Sequence, residues 1–396
     1  MSAQEPWRDW IPGVLNREQV SALHNAGRLS GHGVEKTSPD LSSFDLHLTE
    51  DAWELADGSF KPDSYYKNTY LKAPFASKIT PDADGQFVLE PAQTYVFRVD
   101  ERLLGFSKET PIWGQATAKS SVGRTDVLAR LIVDGMEAYE AFSPDRVTIG
   151  DMFLEVTSIT FRVRVKVGTA LTQLRLFYGP PWRSEVRGRE LLNTILPERE
   201  NPESNPEECL LRVNLKPVDS GACAFRAKAG PHDLPPVDLW GKPGAPNPQL
   251  HWDLEKPREM DGHLHLKLEK GAFYILRSFE RLALTKSVAA YCRAIDETIG
   301  EMRIHYAGFV HPCFGRNRAD KSIGTPLIFE VRGHDLPVNL VHKEVMAKMT
   351  LYRMSEDATL DTSLDSPEKS PYSDQKLGLS KFFGVWPASS NSETPK

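Results

Sequence analysis

The sequence predicts an all-β protein with little helix, built from two similar halves. Apolar residues alternate with basic residues along 161–167, and Leu264, Leu266 and Leu268 alternate with polar residues in the same way. A period of two is typical of strands that bury one face. Long helical patterns are few, so strands are expected to form most of the chain.

Two similar halves are indicated by three segments that recur in the same order. The pairs are 87–103 with 266–282, 152–156 with 327–331, and 171–179 with 346–354. Chance similarity of one strand is common, but three ordered matches indicate an internal duplication.

The repeat divides the chain into two domains, a linker and a tail. We expect the first domain at 1–180, beginning with a short helix that Asn16 caps, and the second at 209–355. The linker, 181–208, is rich in Pro, Glu, Arg and Asn, and the tail, 356–396, is rich in Ser, Asp and Pro. The tail is expected to be flexible and able to cover a binding site, with the exception of 376–386, whose aromatic residues need something to pack against.

The composition is that of an ordinary globular protein. Of the 396 residues, 40% are hydrophobic and 26% are charged, and the formal net charge is -6. A negative chain has no global basic field for nucleic acid. The sequence shows no signal pattern and no apolar run long enough to span a membrane, so we expect a cytoplasmic protein without membrane or nucleic-acid partners. The four cysteines form no C-x-x-C pair, which argues against a zinc site.

The segment 119–124 concentrates groups that bind anions. It carries Lys119, Ser120, Ser121 and Arg124 around a glycine. Hydroxyl, backbone N–H and guanidinium donors in one turn suit a phosphate or a developing oxyanion. Taken alone, the same composition also fits a plain surface turn.

A second candidate is the carboxylate of Glu155, which interrupts an apolar strand and recurs as Glu330 in the second half. Burial would raise the pKa of such a group toward the range of a general base. The simpler reading is a solvent-facing or arginine-paired carboxylate. Along the repeat, Asp296 and Glu301 replace the two cations of 119–124, so only the first half keeps an anion-binding turn.

The order of these motifs resembles the dCTP deaminases of the dUTPase-like superfamily. The resemblance is carried by KSSVGR at 119–124, by the Glu-bearing strand after it, by TQLRLF at 172–177, by HYAGFVHPCFG at 305–315 and by SSFDLHL at 42–48. It implies two tandem dUTPase-like distorted β-barrels of the jelly-roll type, as in the longer, duplicated bacterial form of the family.

The resemblance implies a hydrolase that acts on a cyclic amidine and converts dCTP to dUTP and ammonia. Glu155 would be the metal-independent general base, Ser120 would hold the water and Arg124 would orient the carboxylate. No tightly bound cofactor is implied, and Mg²⁺ would arrive on the triphosphate. The family also implies a homo-oligomer, a trimer or a multiple of one.

The resemblance further implies a nucleotide site with groups from both halves and from the tail. The implied substrate-binding residues are Lys119, Ser120, Ser121, Arg124, Gln173, Ala307, Gly308, Glu330, Tyr372 and Lys381. Two pairings remain open: the Ser-Ser-Arg turn with Glu155 of a neighbouring first half, which we prefer, or with Glu330 and the 305–309 loop of a second half.

Two other functions remain open at this point. His311 replaces the aspartate that family dUTPases use in the loop, but Asp134 could substitute for it. A dUTP diphosphatase, or a bifunctional deaminase and diphosphatase, is therefore one alternative. A non-catalytic nucleotide-binding regulator on the same fold is the other.

Overall fold

The structure is a computed structural model, and strands dominate the part of the chain that it describes. That part comprises residues 5–35, 39–63, 65–147, 150–198, 207–228, 234–241, 245–295, 302–304, 308–316, 324–359 and 376–386.

Helices are short. Their bounds are α1 Arg17–Asn25, α2 Tyr66–Tyr70, α3 Ser120–Gly123 and α4 Arg189–Ile195, with 3₁₀ turns at His32–Val34, Pro181–Arg183 and Pro248–Leu250. The predicted capping box at the start of α1 is present: Asn16 Oδ1 accepts from Gln19 N at 3.0 Å, and Gln19 Oε1 accepts from Asn16 N at 3.1 Å. No helix in the described ranges is long and apolar enough to cross a membrane.

The first half is a curved, nearly closed sheet. Its strands run in the order β10-β8-β13-β3-β6-β11-β9, with β1 beside β13 and β4 beside β3. Their bounds are β1 Gly13–Val14, β3 Phe44–Leu55, β4 Ala76–Ile79, β6 Thr94–Val99, β8 Ile112–Ala118, β9 Val127–Val133, β10 Ala141–Phe142, β11 Met152–Ser158 and β13 Ala170–Tyr178. The long strand β3 passes from one side of the barrel to the other, and its register against β6 shifts between Leu48 and Ala52.

Smaller sheets complete the first half. They comprise β2 Leu29–Ser30 with β7 Arg102–Leu103, and β5 Gln86–Leu89 with β12 Val163–Lys166 and β17 Val237–Asp238. The alternation predicted for 161–167 is confirmed, because Val163 and Val165 are fully buried. Since β17 comes from beyond the linker and pairs with β12 in parallel, the two halves already share backbone hydrogen bonds here.

The second half folds into three sheets, ordered β14-β27-β22-β24 with β15 beside β27, β18-β16-β21-β25-β23, and β19-β20-β26. The strand bounds are β14 Glu185–Val186, β15 Cys209–Arg212, β16 Ala224–Ala227, β18 Trp252–Glu255, β19 Arg258–Met260, β20 His263–Leu268, β21 Phe273–Leu282, β22 Val288–Ala294, β23 Met302–Ile304, β24 Gly308–Val310, β25 Thr325–Gly333, β26 Val338–Val341 and β27 Val345–Arg353. The predicted all-β class with two barrel-like domains is thus confirmed.

Both halves use the repeated sequence in the same way. Glu155 lies opposite Val96 in the β11–β6 pair, and Glu330 lies opposite Ile275 in the β25–β21 pair. These are equivalent positions in the matched segments, so the strand register follows the repeat residue by residue. The two glutamates therefore occupy the same place in their sheets.

The halves meet over a continuous core rather than through a thin linker. Phe225, Trp252 and Phe273 of the second half join the buried cluster of the first half. Arg175 of β13 is fully buried at the junction. Its Nη1 donates to the carbonyl of Ala290 at 2.9 Å and its guanidinium lies 4.0 Å from the centre of a phenylalanine ring in β24.

The linker and the tail also pack. Helix α4 of the linker buries Leu192 and Ile195 in the second core. In the tail, Phe382 and Phe383 are buried in the first core, and the Phe383 ring centre lies 5.7 Å from that of Trp252. The aromatic part of the tail is therefore docked at the junction of the two halves.

Phe383→Ala should loosen the docked tail. Truncating a buried phenylalanine costs about 3–5 kcal/mol where the surroundings cannot collapse, but undocking of the tail alone limits the loss of global stability. We expect faster proteolytic cleavage within 376–386 and a smaller change in melting temperature. Val385→Ala is the matched control, since that side chain is 94% exposed. Equal cleavage of the two variants would contradict the docked tail.

Candidate active site at the junction of the two halves

The anion-binding turn predicted at 119–124 is one helical turn between β8 and β9. Lys119 N donates to the carbonyl of Leu171 at 2.9 Å, and Arg124 N donates to the carbonyl of Ser120 at 3.1 Å. Ser120 is exposed, whereas Arg124 is buried. The turn therefore presents a hydroxyl to solvent while its guanidinium points into the protein.

Arg124 meets Glu330 of the second half. Arg124 Nε lies 3.9 Å from Glu330 Oε1, and each side chain is 7% exposed. This distance is an ion-pair contact, too long for a hydrogen bond. Glu330 Oε1 accepts no hydrogen bond from any residue in the described ranges. Burial raises the pKa of Glu330 to about 8, although the Arg124 cation acts in the opposite direction.

The second-half segment 308–316, which begins with β24, lies beside this carboxylate. Cys292 pairs with Gly308 across the β22–β24 pair, and the Glu330 charge adds to the burial that raises the pKa of the Cys292 thiol. Further along the loop, His311 Nδ1 lies 3.0 Å from the hydroxyl of Ser42 in the first half. Burial lowers the pKa of His311, which favours the neutral imidazole.

Polar groups continue along the outer face of β3 and β13. Lys119 Nζ forms a short ion pair with Asp45, and the hydroxyl of Ser43 donates to Gln173 Oε1 at 3.1 Å. Gln173 lies directly opposite Asp45 in the β13–β3 pair. Desolvation, and then the Lys119 cation, lowers the pKa of Lys381 in the tail. Predicted substrate-binding residues from the turn, the strand and the tail thus lie close together.

The tail closes directly over the turn. Arg124 Nη1 donates to the carbonyl of Gly378 at 3.3 Å, and the Ser380 hydroxyl donates to the carbonyl of Ser121 at 2.6 Å. Because Ser121 and Ser380 are both buried, this contact excludes water from one side of the turn.

Glu155 lies in different surroundings. Its carboxylate accepts from Ser59 Oγ at 3.0 Å, lies 3.1 Å from Tyr139 Oη and forms a short ion pair with Arg130. Arg130 lies opposite Glu155 and is the fourth residue of β9, so Glu155 lies about 10 Å along the sheet from the first residue of β9, at about 3.3 Å per residue. Within one chain the structure therefore brings Glu330, and not Glu155, to Arg124.

Several contributors have no predicted role in the site, although they lie in the segment SSFDLHL at 42–48. Asp45 lies in β3 and Ser43 lies directly before it, where polar side chains look like an ordinary solvent face, and Ser42 pairs with a histidine 269 positions away. The predicted site residues Ala307 and Tyr372 lie outside the described residues, as does the second-half segment 296–301. No group of three or more potential metal ligands was found among the described residues.

Fold and site together define a two-domain, strand-built protein with a composite site between its domains. A family model described as the 2'-deoxycytidine 5'-triphosphate deaminase N-terminal domain matches residues 11–180, and the C-terminal domain model of the same family matches residues 185–383. The chain belongs to the 2'-deoxycytidine 5'-triphosphate deaminase family, which confirms the resemblance seen in the motifs.

A solved structure agrees with this assignment. The crystal structure of 2'-deoxycytidine 5'-triphosphate deaminase from Agrobacterium tumefaciens is 25% identical in sequence, with a TM-score of 0.74. The alignment covers 87% of this chain and 96% of that one. A search of curated proteins found no match.

Replacement of each of the two equivalent glutamates by glutamine should change the stability of the protein in opposite directions. Burial raises the pKa of folded Glu330 to about 8, whereas in the unfolded chain it ionises near ~4.3. Between these values the folded state binds more protons, so wild-type stability falls as pH rises through this window. The glutamine of Glu330→Gln cannot ionise. The free energy of unfolding of this variant should therefore exceed that of wild type by an amount that grows up to about pH 8 and reaches roughly 1–4 kcal/mol.

Glu155→Gln is the matched control in urea denaturation at several pH values. It removes the carboxylate that pairs with Arg130 and should cost roughly 1–3 kcal/mol at neutral pH. A Glu330→Gln variant that is less stable than wild type at pH 9 would contradict the unfavourable burial of that carboxylate.

Proposed function

We propose that the protein is a dCTP deaminase that hydrolyses dCTP to dUTP and ammonia. The observation that carries the proposal is the buried contact between Arg124 and Glu330 at the junction of the halves. A cationic, hydroxyl-bearing turn and a carboxylate with a raised pKa meet there, beside the Gly308 loop. Membership of the deaminase family supports the same chemistry.

Glu330, rather than Glu155, is proposed as the general base. Glu155 already accepts from serine, arginine and tyrosine donors, so its oxygens are engaged. Glu330 keeps one carboxylate oxygen without a donor among the described residues. A base must offer an oxygen to the water it deprotonates, and a pKa near the working pH makes proton transfer in both directions efficient.

In the proposed reaction, Glu330 takes a proton from water while the water oxygen bonds to C4 of cytosine. The electron pair of the C4=N3 bond moves to N3, and Glu330 delivers the proton taken from water to N3. Glu330 then takes the remaining proton from the C4 hydroxyl and delivers it to the exocyclic amine, the C4–N bond breaks, and ammonia leaves as the C4 carbonyl forms. Ser120 holds the water, and Arg124 stabilises the ionised carboxylate and the developing charge.

The triphosphate is proposed to lie against the cations at the mouth of the site. Lys119 and Lys381 are close enough for the charge of one to lower the pKa of the other, an arrangement that an added anion would relieve. Mg²⁺ would accompany the triphosphate as part of the substrate. Gln173 and Gly308 are proposed to contact the sugar and base, and Ala307 and Tyr372 remain predictions of the same kind.

Glu330→Gln should lose about 10²–10⁴-fold in kcat while nucleotide affinity changes little, because a general base contributes about that factor. Glu155→Gln, its equivalent in the repeat, should keep activity within a few fold. Ammonia release from dCTP measures the deaminase, and pyrophosphate release from dUTP measures the alternative diphosphatase. The reverse pattern, with Glu155→Gln inactive, would assign catalysis to the other carboxylate.

The same assays separate the remaining functions. The loop 308–316 contains no carboxylate, since His311 stands where family dUTPases carry an aspartate. Asp134 is a buried residue at the end of β9. We therefore expect no pyrophosphate from dUTP. Nucleotide binding without either product would make the protein a regulator.

Homo-oligomerisation is a separate proposal that follows from the family resemblance. Arg124 and Glu330 meet within one chain, so activity per chain should stay constant when the enzyme is diluted from micromolar to low nanomolar concentration. Light scattering gives the mass across the same range. Activity that falls in step with dissociation would show that a neighbouring chain contributes to the site, as the Glu155 pairing requires.

A further inference from the structure

A second ion pair joins the halves behind the turn. The carboxylate of Asp126 forms a short, buried ion pair with Arg332 and accepts from Thr160 Oγ1 at 2.5 Å. Arg332 Nη2 also donates to Thr160 Oγ1 at 2.6 Å, and Arg332 Nη1 donates to the carbonyl of Gly271. These contacts hold both side chains in place, while burial raises the pKa of Asp126 to about 6.

Each partner of this second ion pair lies two residues after a partner of the Arg124–Glu330 pair. Asp126 lies two residues after Arg124, and Arg332 lies two residues after Glu330 on the same face of β25. The first half thus presents a cation and then an anion, and the second half presents an anion and then a cation. The two ion pairs cross the junction side by side with opposite polarity.

The backbone makes this second pair rigid. Asp126 has a left-handed φ of 57°, its N–H donates to the carbonyl of Gly123 at 2.9 Å and its carbonyl accepts from Ile159 N at 3.0 Å. Any displacement of Asp126 therefore displaces the end of the 119–124 turn.

We propose that Asp126 and Arg332 are positioning residues for deamination, which hold Arg124 at ion-pair distance from Glu330 and set the charge around that carboxylate. The inference rests on the proposed function. The pair itself touches neither the substrate nor the reacting atoms.

Substitution of Asp126 and substitution of Arg332 should change the pKa of Glu330 in opposite directions. Among the described residues, the other ionisable groups that interact with Glu330 are Arg124 from the turn and the Cys292 thiol from β22. Asp126→Asn leaves the Arg332 cation uncompensated on the strand of Glu330, which favours the ionised carboxylate. Arg332→Gln removes that cation and leaves the Asp126 anion to compete for Arg124, which disfavours it.

The test is the acid limb of the pH profile of kcat/KM for dCTP in the full-length chain. Relative to wild type, Asp126→Asn should move this limb to lower pH and Arg332→Gln to higher pH, each by at least ~0.5 pH unit. The double variant should return the limb toward wild type. All three should lower kcat about tenfold, because misplacement of reacting groups by about 1 Å can cost as much as 10²-fold.

The control is Asp238→Asn. Asp238 Oδ1 pairs with Arg164 Nε at 2.7 Å and also joins the halves, through β17 and β12. This variant should leave the limb and kcat unchanged within about twofold. Asparagine tolerates the left-handed conformation at 126, and Arg332→Gln tests the same pair from the other half if Asp126→Asn fails to fold.

The outcomes distinguish this inference from the proposed function. The positioning role would be overturned if the acid limbs of the two single variants moved in the same direction, or if the double variant did not restore the acid limb of wild type. An inactive Glu330→Gln would still support the proposed base in that case. If Glu330→Gln deaminates dCTP at the wild-type rate, the proposed base and the positioning role are both wrong.

Discussion

The candidate site depends on a carboxylate held where its ionisation is unfavourable. Glu330 is buried at the junction of two barrels, and the desolvation that raises its pKa is only partly offset by Arg124. The same burial requires that the turn, the tail and the second half exclude water together. A more exposed glutamate would ionise at its ordinary pKa and be a weaker base, and a fully hydrogen-bonded one would have no oxygen to offer.

The equivalent glutamate of the first half, Glu155, lies at the same strand position with different neighbours. Glu155 has the same register in its sheet, but serine, arginine and tyrosine donors surround it. Such a carboxylate contributes to stability and has no open acceptor, whereas Glu330 lowers stability in its ionised form. The strand position alone therefore does not decide whether such a carboxylate keeps an open acceptor; the donors within reach do.

Much of the fold could be predicted because its signals are local. The alternation at 161–167 and the capping box at Asn16 each depend on residues close in sequence, and both are present in the structure. Each repeated segment is likewise a short local pattern, and the matched strands have equivalent registers. The cationic turn could also be recognised, because hydroxyls and cations cluster within six residues. The repeat even carried enough information to give the strand register of both glutamates.

The pairing of that turn with one carboxylate could not be predicted, since both glutamates sit in similar apolar strands. The choice depends on how the halves dock, and docking is set by contacts distant in sequence, such as Arg175 with the carbonyl of Ala290. The crossed charges at 126 and 332 illustrate the same point, because each looks like an isolated surface residue until the halves meet. In a two-domain chain with a composite site, the interface therefore carries the functional information that neither half shows alone.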